Sequence, residues 1–61
     1  MPLVTVKAIE GRTAEQKREL VKDVTQAVVK HFGVKPESVI VDIMEYKKEN
    51  FAEAGKLFLD R

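Results

Sequence analysis

The residues of this chain that could do chemistry begin at its second position. Pro2 follows the initiator Met1. While Met1 is attached, the Pro2 nitrogen is a tertiary amide, neither basic nor nucleophilic. Cells normally remove a Met that precedes Pro, and removal turns that nitrogen into a free secondary amine. Such an amine can accept and return a proton near neutral pH. An α-amine titrates at about pH 8 in peptides; a proline amine is intrinsically more basic, and an apolar wall or a neighbouring cation lowers it by disfavouring its charged form. Arg12 is the second candidate. It stands just before a predicted helix start, where a guanidinium beside free backbone N–H groups favours an anion. His31 is expected in the last turn of that helix, as a partner for its dipole. The Lys47–Lys48 pair reads as a solvated loop. With no Cys and one His, the chain has no His-based structural zinc site.

These residues need elements to position them. Leu3 to Ile9 alternates as a strand, with Val4, Val6 and Ala8 on one face and Leu3, Thr5, Lys7 and Ile9 on the other. Pro2 is harmless at its start, where a ladder donor can be spared. Gly11 breaks the strand. Thr13 and Gln16 then form a capping box, T-A-E-Q, with Glu15 in the first turn where the dipole favours an acid. The helix is predicted over Ala14 to Phe32, with Leu20, Val21, Val24, Ala27, Val28 and Phe32 as its apolar stripe. Gly33 suits the left-handed residue after its end, Val34 can pack back on Val29, and Pro36 forbids continuation.

A second strand is predicted over Val39 to Glu45, with Val39, Val41 and Ile43 facing the helix and Ile40, Asp42 and Met44 facing away. Strand, long helix and strand make a single βαβ unit of the α/β class, with parallel strands and a right-handed crossover. The tail is ambiguous: K-K-E-N reads as a polar loop, and F-A-E-A-G-K-L-F-L-D as a short helix or a hairpin, the helix weakened by Gly55.

Composition sets the rest. At 61 residues the chain is one domain, 1–61. One helix cannot cover both faces of a sheet, and a two-stranded sheet alone is marginal. Neighbouring subunits are therefore expected to extend the sheet and cover Leu3, Thr5, Ile40 and Met44. Lys7 and Asp42 lie on that face too, either paired, within or between subunits, or solvated. Net charge is +1 with acids and bases interspersed, which argues against a nucleic-acid partner. No apolar run reaches membrane-spanning length, and no signal peptide is seen, so a soluble cytoplasmic protein is expected.

Pro2 before a strand, E-G-R-T with Arg12, the E-Q-K of the helix start, the βαβ plan and Phe51 followed by A-E-A-G-K together resemble the 4-oxalocrotonate tautomerase family, from end to end of the chain. The resemblance implies a cofactor-free isomerase that moves a proton in 2-hydroxydienoate and other enol acids such as 2-hydroxymuconate. It implies a homo-oligomer, a hexamer built as a trimer of dimers whose sheets join, and a tail hairpin that reaches a neighbouring subunit. Pro2 would be the acid/base, Arg12 would grip the carboxylate of a small-molecule substrate and help keep Pro2 neutral, and Phe51 would supply an apolar wall. The family's second arginine falls at Ile40, so its role would pass to another donor (Lys7, Lys35, Lys47 and Lys48 are candidates), to water, or be lost. Two alternatives remain. A hydratase or hydrolytic dehalogenase of unsaturated acids would use Glu53 to activate water, although such branches also want a cation where Ile9 stands. A non-catalytic oligomeric scaffold would keep the fold without a free Pro2.

Overall fold

A computed structural model describes residues 1–61. β1 (Leu3–Ile9) leads through Gly11 to α1 (Ala14–Phe32), then a 3₁₀ turn over Pro36–Ser38, then β2 (Ile40–Tyr46). β1 and β2 pair in parallel, in register from Leu3 opposite Ile40 to Ile9 opposite Tyr46. This is the expected βαβ unit. The second strand starts and ends one residue later than predicted. Val39 carries the 3₁₀ turn's closing N–H bond to Pro36 instead of entering the ladder, and Tyr46 is retained because the Glu10 N–H donates to its carbonyl at 2.9 Å.

Both ends of α1 are built by the residues expected to build them. The Gln16 N–H donates to Thr13 Oγ1 at 3.1 Å, and the Thr13 N–H donates to Gln16 Oε1 at 2.9 Å. Two backbone donors at the helix start are thereby satisfied reciprocally. Gly33 lies at φ 67°, and its N–H donates to the Val29 carbonyl at 3.0 Å. The half-buried stripe differs from the predicted one. Lys17, Val21, Val24, Thr25, Val28 and Val29 face inward, while Leu20, Ala27 and Phe32 are exposed. A two-stranded sheet is too narrow for the helix's last turn to find cover, so Phe32 stays 70% exposed.

The tail is a hairpin followed by a turn, not a helix. After a 3₁₀ turn at Lys48–Asn50, β3 (Ala52–Glu53) pairs antiparallel with β4 (Lys56–Leu57), and Phe58–Asp60 forms a last 3₁₀ turn. Both residues between the strands have positive φ, 53° at Ala54 and 79° at Gly55. That is the pattern of a two-residue hairpin turn, whose twist matches the strands it joins.

No residue of the isolated chain is fully buried. Val4, Val6, Ala8, Val39, Val41 and Ile43 are half-buried under the helix, whereas Leu3 is 70% exposed and Ile40 and Met44 are each 45% exposed on the other face. The radius of gyration is 14.8 Å, against about 10.5 Å for a compact chain of this length. The accessible surface is 4913 Å², about 900 Å² more than a compact chain of this mass would show. That excess is about what one partner contributes to a standard interface. No helix is long and apolar enough to cross a membrane.

Two outcomes are expected. The thermal midpoint should rise with protein concentration, because folding and association draw on the same apolar surface; calorimetry over a hundredfold dilution series reads this. Ala54→Asn should stabilise the fold by about 1 kcal/mol in chemical denaturation, since Asn tolerates left-handed backbone that costs Ala about that much.

Candidate functional site

The parallel sheet sends the candidate residues to its two ends. Pro2 stands just ahead of β1, half-buried, and its carbonyl accepts the Ile40 N–H at 3.0 Å. Leu3 follows it, and Ile40 stands opposite Leu3 in the ladder. Arg12 and Phe51 stand at the other end. The seven residues of β1 separate the two ends by roughly 23 Å, at ~3.3 Å per residue. One chain therefore brings neither Arg12 nor Phe51 to Pro2. It does bring Ile40 to Pro2, which puts an aliphatic group, with no charge, beside the candidate amine.

At the far end the strand has a recess on each side. On the helix side, Arg12 shares a recess of about 230 Å³ with Val6, Ala8, Leu20, Ile43 and the Lys17–Glu45 ion pair. Gly11, at φ 132°, turns the chain from the strand to bring Arg12 there, and Arg12 Nη1 donates to the Ile9 carbonyl at 3.0 Å. One guanidinium nitrogen is thus engaged. The fork keeps further donors for an anion. On the open side, Phe51 forms a recess of about 420 Å³ with Lys7, Ala8, Ile9 and Tyr46. Four of its five lining residues are apolar or aromatic, a composition suited to the carbon skeleton of a small ligand.

Phe51 is held by the tail. Its ring packs edge-on against Phe58, with centroids 4.8 Å apart, and is tilted against Tyr46 at 6.0 Å. The Phe58 N–H donates to the Phe51 carbonyl at 2.8 Å, and the Arg61 guanidinium lies 4.0 Å over the Phe58 ring. Tyr46, Phe58 and Arg61 were not singled out from sequence. The apolar run Leu57–Leu59 marks a tail that packs on something, without naming Tyr46 or Phe51 as its partners.

The remaining charged candidates take other places. Arg61 Nη2 holds Glu53 Oε1 at 3.1 Å, and Glu53 lines neither recess. Asp42 accepts from Thr5 Oγ1 at 2.7 Å; Lys7 stands opposite Met44 in the register and makes no pair with Asp42 within the chain. His31 is exposed in the last helical turn, with Lys30 beside it. No group of three or more His, Asp or Glu side chains is placed to hold a metal ion.

Phe58→Ala should cost about 2 kcal/mol in urea denaturation, below the ~3–5 kcal/mol of a fully buried ring because Phe58 is half-buried. It should weaken binding of an apolar acid in the Phe51 recess more than Leu59→Ala does.

Comparison with known proteins adds four findings. The family model described as tautomerase enzyme matches residues 2–61. The chain is 52% identical over 60 residues to a 2-hydroxymuconate tautomerase of Bacillus subtilis (strain 168), covering 98% of this chain and 97% of that protein. Among solved structures, a 4-oxalocrotonate tautomerase homologue superposes with a TM-score of 0.95 at 36% identity, over 100% of this chain and 97% of the other. A heterohexamer 4-oxalocrotonate tautomerase from Chloroflexus aurantiacus J-10-fl superposes with a TM-score of 0.87 at 28% identity, over 98% and 97%.

Proposed function

The chain belongs to the tautomerase family, in its 4-oxalocrotonate tautomerase group, and from that premise we propose that it isomerises 2-hydroxydienoate and related enol acids, 2-hydroxymuconate among them, with the Pro2 amine as the proton carrier and no cofactor. Tautomerases are isomerases, and no atom is gained or lost in the step. The amine takes the proton from the enol oxygen and returns it to a carbon further along the conjugated chain, leaving the conjugated keto acid. Pro2 must be uncharged to accept and cationic to donate, so it must titrate near working pH. Arg12 binds the carboxylate through parallel hydrogen bonds, and its charge favours the neutral amine. Phe51 supplies an apolar wall that acts in the same sense.

The observation that carries this reading is the opposition of Pro2 and Arg12 across one strand. β1 has a free edge. Two copies that join their β1 edges antiparallel set the Pro2 end of one strand beside the Arg12 end of the other, completing a site that neither holds alone. The same pairing extends a marginal two-stranded sheet to four strands and satisfies the open edge. Further copies would then cover Leu3, Ile40 and Met44. A hexamer is the assembly proposed here, in line with the heterohexameric relative. The water-adding alternative finds less support, because the carboxylate it needs, Glu53, lines neither recess.

The test uses protein shown by intact mass to lack Met1. Pro2→Ala should lower kcat on 2-hydroxymuconate by at least about 100-fold, with the assembly unchanged by light scattering. Arg12→Ala should chiefly raise KM. Equal turnover by Pro2→Ala, or Met1 still present on protein purified from cells, would remove Pro2 from the mechanism.

A further inference from the structure

The tail that carries Phe51 is tied to the βαβ unit at one polar point. A single hydrogen bond joins residues 47–61 to residues 1–46: the Lys48 N–H donates to Glu10 Oε2 at 3.2 Å. The chain's other hydrogen bonds and its ion pairs stay within the unit or within the tail. Glu10 is engaged twice there. Its own N–H donates to the Tyr46 carbonyl at 2.9 Å, one step past the last ladder pair of β1 and β2. One residue thus holds the end of β2 by its backbone and the turn beyond β2 by its side chain.

The bond answers a local need. The 3₁₀ turn over Lys48–Asn50 starts from Lys47, whose side chain gives no cap, so the first N–H of the turn wants an acceptor from elsewhere. Glu10 supplies a carboxylate, the stronger kind of acceptor. The Tyr46 and Phe51 rings also meet, with centroids 6.0 Å apart. Apolar contact is non-directional and does not by itself fix where the Phe51 ring stands. A directional bond three residues upstream restricts it. Glu10 lines neither recess, so any influence on the site passes through Phe51. We propose that Glu10 is a positioning residue for the Phe51 wall, which it sets in place by holding the Lys48–Asn50 turn against the end of β1. The proposal rests on the reading that this wall faces the substrate.

The test uses protein lacking Met1, with 2-hydroxymuconate as substrate. Glu10→Ala removes the acceptor and should raise KM about fivefold, the size of one exposed hydrogen bond, with kcat within about twofold. Glu10→Gln keeps a carbonyl acceptor and should hold KM within about twofold of the unmodified protein. Lys48→Pro removes the donor where the backbone suits Pro, because Lys47 is extended at φ −67° and ψ 147°. Relative to Lys48→Ala, which keeps the N–H, it should raise KM by the same factor, and Glu10→Ala added to it should cost nothing more. Near-ultraviolet circular dichroism of Tyr46, the chain's one tyrosine, should weaken in Glu10→Ala and Lys48→Pro and persist in Glu10→Gln. A lowered thermal midpoint with KM unchanged marks a merely structural role and overturns the proposal. Glu10→Gln as impaired as Glu10→Ala overturns it too, since charge and not the bond would then matter, as does full additivity of Glu10→Ala and Lys48→Pro. Failure of the Pro2 mechanism reads out separately, in turnover by Pro2→Ala, and leaves the Tyr46 signal to report on Glu10.

Discussion

A single 19-residue helix covers one face of a two-stranded sheet and leaves the other bare. Much of this molecule follows from that shortage of cover. Side chains alternate between the faces of both strands, so Leu3, Ile40 and Met44 are committed to the uncovered face beside Thr5, Lys7 and Asp42. Leu3, Ile40 and Met44 are exposed there because the chain has nothing left to lay over them, its remaining length being spent on the tail hairpin. No residue reaches full burial, and the accessible surface exceeds that of a compact chain by about the area one standard interface takes from each partner. A chain of this size without disulfides or metal has association as its remaining source of stability.

The same shortage bears on the chemistry. A parallel strand carries its first and last residues to opposite ends of the sheet, so Pro2 and Arg12 stand at opposite ends of β1, whose seven residues span roughly 23 Å at ~3.3 Å per residue. The free β1 edge that leaves the sheet incomplete is also the edge along which an antiparallel copy would restore the missing neighbour. Stability and site completion would then be one event. Phe51 adds to this from the tail, where the hairpin, the edge-on Phe58 ring and the Arg61 guanidinium stacked over it hold an aromatic wall at the Arg12 end of the strand. The tail lacks the apolar content to fold alone, and three aromatic residues and one cation–π contact give it a fixed shape.

Electrostatics divides the two ends of the sheet. Pro2 has aliphatic neighbours, and the residue whose N–H reaches its carbonyl is Ile40. At the other end stand Arg12 and Lys17 on the helix side and Lys7 on the open side. An amine in apolar surroundings is disfavoured in its charged form, and anions are drawn to the cationic end. Were two copies to join their β1 edges head to tail, the Pro2 end of one would lie beside the cationic end of the other. Ile40 matters here for what it lacks, since the arginine expected there from the family resemblance would have placed a charge beside Pro2.

The local elements were legible in the sequence because their causes are local. β1 follows from seven alternating residues, and both ends of α1 from a capping box at Thr13–Gln16 and a left-handed Gly33. The parallel pairing follows from the length of the crossover, which no hairpin can replace. Where neighbours in space decided, the sequence alone fell short. Val39 went to a 3₁₀ turn and Tyr46 to the strand through hydrogen bonds made by Pro36 and Glu10. Ala27 and Phe32 satisfied the helical period yet stayed exposed, since the sheet beneath is only two strands wide. The tail's choice between helix and hairpin depended on left-handed backbone at Ala54, which Ala does not advertise. Pro2, Arg12 and Phe51 could be picked out by type and by resemblance, but their distribution between opposite ends, and the company Lys7 keeps with Phe51, are matters of strand direction and of a tail folding back. Periodicity and capping are read within a few residues, whereas a cavity is formed by side chains far apart in sequence, and only tertiary structure brings those together.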